Sequence, residues 1–511
     1  MKKYQEQSVL FVEINEAEKY FLDRYLARGL LPNFAKLAKD GAFVVTKIPG
    51  FTDDGTPGSR AWRDIMPWVI WPSLYTGLAA KDHGVVAFGQ DTAPLQGKCL
   101  WDVLDRHGIS AGVFGSLQSY PPRNHGQMRF YVPDSLSDDA ACFPPEVRPL
   151  QEFCVSAARN YSEDFLTHAI EGAKQLLQSP RCGVQAKTLA KLFLQVPREK
   201  WYGPQMEADR AFLHSALCVD AFKYLYAKHR PRFATVHMNH IAYSQHRYWR
   251  AAEPARFSDE LSETDTRFFA TAAARNAYEA KHADRIQRAF VYADEILGEL
   301  LALAGDETLV VVTTALGQEP IDPVHEIHNP VVRLTNEIAF FDAAGLKNYR
   351  VYHQMNPDLT INFLEESEAA EAEKIVEAFY VDAGAPTLAG ASAEPAPLFT
   401  VERIRRQLFC EFRMPVGLYG RTNGVTIRHR NRPSLAFPFG EHVSQHGTND
   451  QSTAQHRDDG WLLIGGKGMK VEALRKEIAV TEVAPAILGL FGLPPEPWQQ
   501  LNGAPFTVTP R

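Results

Sequence analysis

The sequence lacks a run of roughly 18 consecutive apolar residues, the least that a bilayer-spanning helix needs. Its first apolar stretch, Val9–Val12, is interrupted at Glu13 and is too short for a signal peptide. The chain also lacks an excess of basic residues, because its formal net charge is −7. That charge gives no indication of a nucleic acid polymer as partner. We therefore predict a soluble, cytoplasmic protein that binds neither membranes nor nucleic acid polymers.

Cysteine is scarce, and none of the cysteines forms a Cys-x-x-Cys pair. The six are Cys99, Cys142, Cys154, Cys182, Cys218 and Cys410. Such scattered positions favour reduced, mostly structural thiols over a disulfide framework or a zinc knuckle. Hydrophobic residues make up 45% of the chain and charged residues 23%, which is typical of a globular protein.

Short β-branched runs alternate with segments of helical periodicity along the chain. Four of these runs predict strands, at 9–15, 109–117, 230–239 and 307–316. The first run is apolar on both of its alternating faces, as in a strand that is buried on both sides. Strands that are separated by helices form parallel sheets through right-handed crossovers. The sequence therefore predicts an α/β fold with a mostly parallel sheet sandwiched by helices.

Changes in these patterns divide the chain into five segments. The core α/β structure is expected in three of them, at 1–132, 230–329 and 431–511. A helical insertion is expected at 133–229, where long helical patterns replace strands. A smaller α+β insertion, which would form a cap, is expected at 330–430.

Four motifs follow one another from the first strand to the end of the chain. They are VLFVEINE with LPNFAKLAKDGAF, SLYTGLAAKDHGVVAFG, YADEILGELLALAGDETLVVVTTALG, and QHRDDGWLLIGG with VTEVAPAILGLFGLPPEPWQQLNGAPF. In this order they resemble the alkaline phosphatase superfamily, especially its type I phosphodiesterase/nucleotide pyrophosphatase branch. The resemblance implies phosphoester chemistry with two divalent metals, held by Asp and His at the carboxyl ends of the strands. It also implies a Thr or Ser nucleophile at a helix N-terminus.

The chain departs from this pattern at several expected positions. The residues that stand in place of the family's aspartates, nucleophile and Asp-His pair are Asn15, Ala242, Pro67, Ala315 and Leu316. His246 and His456 match the family's ligand pattern. The resemblance therefore implies a reduced centre with one divalent ion (zinc, manganese or iron) or none, with His246 and His456 as metal ligands.

A histidine-rich segment follows the third predicted strand, in VHMNHIAYSQHRYW. Imidazole suits zinc, manganese and iron, and a bend from strand to loop would bring His240 close to His246. We predict a catalytic role for His240 and substrate binding by Asn239 and Gln245. The alternative is a hydrogen-bonded core network.

The first predicted strand ends in Glu13-Ile14-Asn15-Glu16. Strand alternation places Glu13 and Asn15 on one face, and an acidic residue in an apolar run is costly unless it is paired or binds a cation. We predict that Glu13 is a metal ligand and that Asn15 and Glu16 are catalytic. The alternative is that Asn15 caps the next helix, with Glu16 in its first turn.

Further candidates come from the remaining loops and helices. Gln318 follows the fourth strand and is predicted to be catalytic through a hydrogen bond to substrate. Trp71, with Trp62 and Trp68, is predicted to form the wall of a substrate pocket, and a place in the core is the alternative. His446 lies in the same loop as His456, and solvent exposure is the favoured interpretation for it.

The sequence predicts a phosphoester or phosphodiester hydrolase-like protein that acts on a phosphorylated or nucleotide-linked small molecule. Because Pro67 offers no nucleophile, water at the ion or a hydroxyl of the substrate would attack. The alternative is a descendant that binds a ligand or transfers a group after losing the two-metal centre. The two interpretations differ in whether the chain hydrolyses its ligand. Both are compatible with a homo-oligomer.

Overall fold

A computed structural model describes most of the chain in two compact units. The described residues are 7–49, 65–85, 87, 90–159, 172, 175, 177, 179–202, 209–261, 265–321, 332–353, 358–382, 396–412, 424–445 and 452–510. The first unit comprises Met1–Val86, Thr92–Glu326 and Ser452–Arg511, and the second comprises Ala87–Asp91 and Ile327–Gln451. The predictions for Trp62 and His446 lie outside the described residues.

The strands are numbered here in chain order. They are β1 (Ser8–Ile14), β2 (Ala42–Lys47), β3 (Ala111–Phe114), β4 (Met128–Val132), β5 (Phe233–Met238), β6 (Thr308–Thr314), β7 (Gly317–Pro320), β8 (Val332–Leu334), β9 (Tyr349–His353), β10 (Leu359–Phe363), β11 (Phe379–Asp382), β12 (Phe399–Ile404), β13 (Gln407–Phe412), β14 (Thr426–His429), β15 (Ala436–Pro438), β16 (Val443–Gln445), β17 (Ala454–Arg457), β18 (Asp459–Gly465), β19 (Met469–Ala473), β20 (Glu477–Ala479) and β21 (Phe506–Pro510).

The helices are numbered in the same way. They are α1 (Lys19–Ala27), α2 (Pro32–Lys39), α3 (Pro67–Thr76), α4 (Ala80–His83), α5 (Leu100–Arg106), α6 (Arg148–Arg159), α7 (Ala186–Tyr202), α8 (Asp209–His229), α9 (His240–Ala252), α10 (Asp265–Phe268), α11 (Ala272–His282), α12 (Arg285–Ala304), α13 (Glu337–Ala343), α14 (Glu366–Val376), α15 (Phe439–His442) and α16 (Val483–Leu490). Among the described residues, none of these helices has the length and hydropathy needed to cross a membrane.

Eight strands of the first unit form one sheet, in the order β20-β2-β18-β6-β1-β5-β3-β4. Strand β18 runs antiparallel to its neighbours β2 and β6, and the other adjacent pairs run parallel. This arrangement confirms the predicted mostly parallel sheet. Strand β1 lies inside it, between β5 and β6, so the carboxyl end of β1 is flanked by neighbouring strands on both sides.

Both faces of this sheet are buried, as the sequence of β1 predicts. Leu10 and Val12 pack into one apolar layer with α1, α2, α8, α9 and α12. Val9 and Phe11 pack into a second layer with α3, α5 and α16. Because successive side chains of a strand point to opposite faces, one apolar strand supplies both layers.

The second unit has an α+β arrangement with its own core. Its sheets are antiparallel: a four-stranded sheet β12-β13-β10-β9, a three-stranded sheet β11-β14-β15 and the pair β16-β8. Fully buried side chains at its centre include Phe340, Ile361, Leu408 and Ile427.

Helix α3 begins at Pro67, whose missing N–H costs nothing at the first helical position, and Pro72 lies inside the helix. One local prediction is wrong in the first unit. The bend predicted after the third strand is a helix instead, since α9 begins at His240, two residues after β5 ends. In a helix, side chains six residues apart are rotated by about 240°. His240 and His246 therefore point in different directions.

Candidate metal centre

The turn after β1 directs the side chain of Glu16. This residue has a φ of +54°, in the left-handed region that residues other than glycine rarely adopt. Gln245 of α9 holds the turn, because its Nε2 donates to the Glu16 carbonyl oxygen (2.6 Å) and its Oε1 accepts from the Glu18 N–H (3.0 Å). Trp461 Nε1 donates to the Ala17 carbonyl oxygen at 2.7 Å. These buried hydrogen bonds fix the backbone from which Glu16 projects.

Glu16 meets two histidines that come from distant parts of the chain. Its Oε2 lies 2.8 Å from Nε2 of His246 on α9 and 3.3 Å from Nε2 of His456 on β17. The two imidazole rings are 5.2 Å apart at an interplanar angle of 81°. One potential ligand atom from each residue lies within 4.8 Å of the other two. We call Glu16, His246 and His456 the candidate metal centre.

Gln318 lies beside the Glu16 carboxylate. It stands opposite His456 in the antiparallel pairing of β7 with β17. Its Nε2 donates to Glu16 Oε2 (2.5 Å) and to the Ala242 carbonyl oxygen (3.3 Å). Its Oε1 is buried and accepts no hydrogen bond from the described residues. A buried amide oxygen without a donor is uncommon, and such oxygens are ligands for divalent metals.

The charge of the candidate metal centre is set by burial and by the imidazoles. Burial alone would raise the pKa of Glu16, because the carboxylate loses water. The positive charges and hydrogen bonds of His456 and His246 outweigh burial and hold the pKa of Glu16 well below its usual range. The Glu16 side chain is 4% exposed, whereas that of His246 is 31% exposed. The ionised Glu16 carboxylate is thus buried, and solvent reaches the candidate metal centre at His246.

His246 is oriented by the segment that precedes His456. Its Nδ1 lies 3.1 Å from the Ala454 carbonyl oxygen and 3.3 Å from Ser452 Oγ. Donation from Nδ1 to the carbonyl fixes the ring with Nε2 facing Glu16, and a bound cation would take the place of the Nε2 proton. Histidines that bind metals are usually held in this way by a hydrogen bond from the other ring nitrogen. Ser452 and Ala454 were missed in the sequence, although both lie within four residues of His456.

The donor set fits one divalent ion. One carboxylate and two imidazoles are ligands that zinc, manganese and iron accept, and three protein ligands leave a position for substrate. The side chains at three other positions of the resemblance offer no further ligand. Pro67, Ala315 and Leu316 are buried and carry no ligand atom in their side chains.

Asn15 belongs to a neutral network next to Glu16. Its Nδ2 donates to Glu16 Oε1 (2.8 Å) and to Asn239 Oδ1 (2.8 Å), and its Oδ1 accepts from Trp71 Nε1 (2.8 Å). Trp71 is fully buried, so it positions Asn15 and does not form the predicted pocket wall. Asn15 does not cap α1 either, since the N-cap residue is Glu18.

Glu13 lies in a separate buried network. Its carboxylate accepts hydrogen bonds from Tyr75 Oη (2.7 Å), Ser116 Oγ (2.8 Å) and Thr235 Oγ1. His237 Nδ1 lies 3.1 Å from Glu13 Oε2. The structure does not bring Glu13 to the histidines with which it was predicted to share an ion. The carboxylate beside His246 and His456 belongs to Glu16, because the left-handed turn after β1 directs its side chain towards them. The sequence gives no sign of that turn.

His240 and Gln245 are also used differently from the prediction. His240 is buried, with Nδ1 3.0 Å from Ser215 Oγ and Nε2 3.2 Å from the Ala289 carbonyl oxygen. Burial lowers the pKa of His240 to about 4, so it is a neutral histidine of the core. The oxygen and the nitrogen of the Gln245 side-chain amide both hydrogen-bond the backbone of the Glu16 turn. The amide therefore positions Glu16 instead of binding substrate as predicted.

Replacing Gln245 by leucine is expected to lower the free energy of unfolding by about 2–4 kcal/mol, since two buried backbone groups lose their partners. Urea denaturation of the full chain measures this loss. The control is Gln455→Leu, whose amide bonds the partly buried Glu319 side chain, and its expected cost is below about 1 kcal/mol. Equal losses in the two variants would contradict the role of Gln245.

Comparisons with known proteins were made for the whole chain. A family model described as type I phosphodiesterase / nucleotide pyrophosphatase matches residues 21–378. No curated protein matches the chain. Solved structures similar to it include human ectonucleotide pyrophosphatase / phosphodiesterase 5, with 12% identity, 97% of each chain covered and a TM-score of 0.39. A murine counterpart, inactive and in complex with AMP, has 13% identity, coverage of 98% of this chain and 97% of the murine chain, and a TM-score of 0.35. Phosphonoacetate hydrolase from Sinorhizobium meliloti, in complex with phosphonoacetate, has 13% identity, 90% of each chain covered and a TM-score of 0.37.

Proposed function

Because the chain belongs to the type I phosphodiesterase / nucleotide pyrophosphatase family, we propose that it hydrolyses a phosphoester with one divalent ion held by Glu16, His246 and His456. Its substrate would be a phosphorylated or nucleotide-linked small molecule. The convergence of three ligand atoms within 4.8 Å carries this proposal. An ionised carboxylate between two imidazoles offers a cation both charge and lone pairs.

Glu16 would supply the carboxylate that the family resemblance expects at Ala242. The Gln318 amide nitrogen bonds both Glu16 Oε2 and the Ala242 carbonyl oxygen. The carboxylate therefore lies beside the backbone of Ala242, although it comes from the turn after β1. One of the two family metal positions would persist with an exchanged ligand, and the other would be lost.

The chain's own groups would orient and stabilise the reacting phosphoester. The ion would supply Lewis acidity to a phosphoryl oxygen. Glu16 would balance the ion's charge, and the Ala454 carbonyl would keep His246 Nε2 directed towards it. Since residue 67 is proline, no side-chain hydroxyl stands at the first position of α3. The attacking oxygen would come from water or from a hydroxyl of the substrate.

Replacing His456 by alanine is expected to remove about one equivalent of bound zinc and to lower phosphodiester turnover at least ~100-fold. Elemental analysis after dialysis measures the metal, and hydrolysis of an aryl phosphodiester measures the activity. The control is His125→Ala, which removes a histidine that is 64% exposed and pairs with Asp105. Absence of turnover by the wild-type protein with zinc, manganese and iron would contradict the proposal.

A second candidate function is binding of a phosphorylated ligand without hydrolysis. The buried apolar side chains of Pro67, Ala315 and Leu316 favour it, because they offer neither a nucleophile nor a ligand for a second ion. Calorimetric titration with AMP, the ligand named for the murine structure, separates the two candidates. Zinc-dependent AMP binding by a protein that hydrolyses no phosphodiester would support this second function.

A further inference from the structure

Two cysteines and a histidine meet where α6 packs near α8. His214 and Cys218 are four residues apart on α8, so their side chains lie on one face of the helix, one turn apart. Cys154 comes from α6. Cys218 Sγ lies 3.8 Å from His214 Nε2, and one ligand atom from each of the three residues lies within 4.8 Å of the others. This group, the thiol cluster, shares no residue with the candidate metal centre.

The spacing of the thiol cluster is close to that of a zinc site. Zinc binds sulfur at about 2.3 Å and nitrogen at about 2.0 Å, so two tetrahedral ligands lie roughly 3.5–3.8 Å apart. The separation between Cys218 and His214 already has this value. The remaining pairs lie within 4.8 Å, which a side-chain movement of about 1 Å would bring into range.

The surroundings of the thiol cluster favour a cation. Cys154 and Cys218 are buried in the apolar layer that contains Leu217 and Phe222. The Cys218 sulfur and the His214 imidazole nitrogen already face each other at 3.8 Å. A thiolate is the form of cysteine that binds metal. His214 is half-buried, whereas both cysteines are buried.

We propose that Cys154, His214 and Cys218 bind a zinc ion at a site independent of the candidate metal centre. Two sulfurs and an imidazole suit zinc far better than magnesium or calcium, which prefer oxygen. The ion would neutralise thiolate charge inside an apolar layer, where an unpaired charge is costly. It would also join α6 to α8 and so stabilise this part of the first unit.

Cobalt substitution of the full-length protein tests this site, because cobalt bound to thiolate gives a sulfur-to-metal charge-transfer band in the near ultraviolet. The candidate metal centre contains no sulfur and gives no such band. Cys218→Ser is expected to abolish the band and to lower bound zinc by about one equivalent. His456→Ala is expected to keep the band, so the outcome is independent of the proposed hydrolase function.

The matched control is Cys99→Ser. Cys99 is a buried thiol of the other apolar layer, and its Sγ donates to the Leu95 carbonyl oxygen at 3.6 Å. This variant is expected to keep both the band and the bound zinc. A band that persists in Cys218→Ser, or is absent from the folded wild-type protein, would overturn the proposal.

Alkylation of the wild-type protein tests the site without any variant. In urea below the unfolding transition, zinc is expected to slow the alkylation of Cys154 and Cys218 by a thiol reagent, and removal of zinc with a chelator is expected to speed it. Peptide mass spectrometry identifies the modified positions. Equal alkylation of these two cysteines with and without zinc would overturn the proposal.

Discussion

Exchanging Glu16 for glutamine is expected to weaken zinc binding at the candidate metal centre at least ~100-fold. Glutamine has nearly the same size and shape as glutamate, so the packing of the turn is kept. The negative charge between His246 and His456 is lost, and the amide offers the ion a neutral oxygen or a nitrogen without a lone pair. Calorimetric titration of the chelator-treated protein with zinc measures the change.

The control for this exchange is Glu18→Gln, two residues further along the same turn. Glu18 is buried, and its carboxylate accepts from the backbone N–H groups of Tyr20 and Gln318. Loss of the Glu18 charge is expected to weaken zinc binding less than ~3-fold. The Glu18 carboxylate bonds backbone N–H groups and would affect the ion only by positioning the turn. Equal weakening by both variants would show that Glu16 acts through the charge of the turn and not as a ligand.

Replacing Trp461 by alanine is expected to destabilise the first unit by about 3–5 kcal/mol, through loss of burial and formation of a cavity. The Trp461 side chain is 1% exposed. Its ring packs against Phe34 and Phe43, with centroids 6.3 and 5.8 Å away. The indole also donates to the Ala17 carbonyl oxygen, next to Glu16. Urea denaturation followed by circular dichroism measures the loss.

The matched variant Trp461→Phe separates packing from hydrogen bonding. Phenylalanine keeps much of the ring and leaves the Ala17 carbonyl without its donor, at an expected cost of about 1–2 kcal/mol. A Trp461→Phe loss as large as that of Trp461→Ala would contradict packing as the main contribution.

Four of the eight strands of the central sheet were predictable, because buried strands carry continuous β-branched runs. The runs predicted at 9–15 and 307–316 are β1 and β6, each within two residues at either end. The start of α3 was not predictable from composition, since either Pro67 or Pro72 could open a helix. Packing of Val69, Ile70 and Leu74 into the second apolar layer favours the longer helix.

The candidate metal centre was predictable only in part. His246 and His456 stood out because they match a known spacing, whereas Glu16 was assigned to catalysis and Glu13 to the ion. Strand alternation ends with β1, and the backbone angles of the next turn depend on Gln245 and Trp461, which lie far away in sequence. The thiol cluster was hidden for a similar reason, because the packing of helices brings its two cysteines together.

The pairing of β7 with β17 has a consequence for how this protein can diversify. The long segment Ile327–Gln451 of the second unit lies in sequence between β7 and β17, which pair with each other. Just beyond this pair, the Ile321 N–H donates to the Thr453 carbonyl oxygen. Topologically, the segment is a hairpin loop of unusual length, and closure entropy grows only slowly with loop length. Evolution can therefore enlarge, trim or exchange this module while the short ladder keeps His456 opposite Gln318.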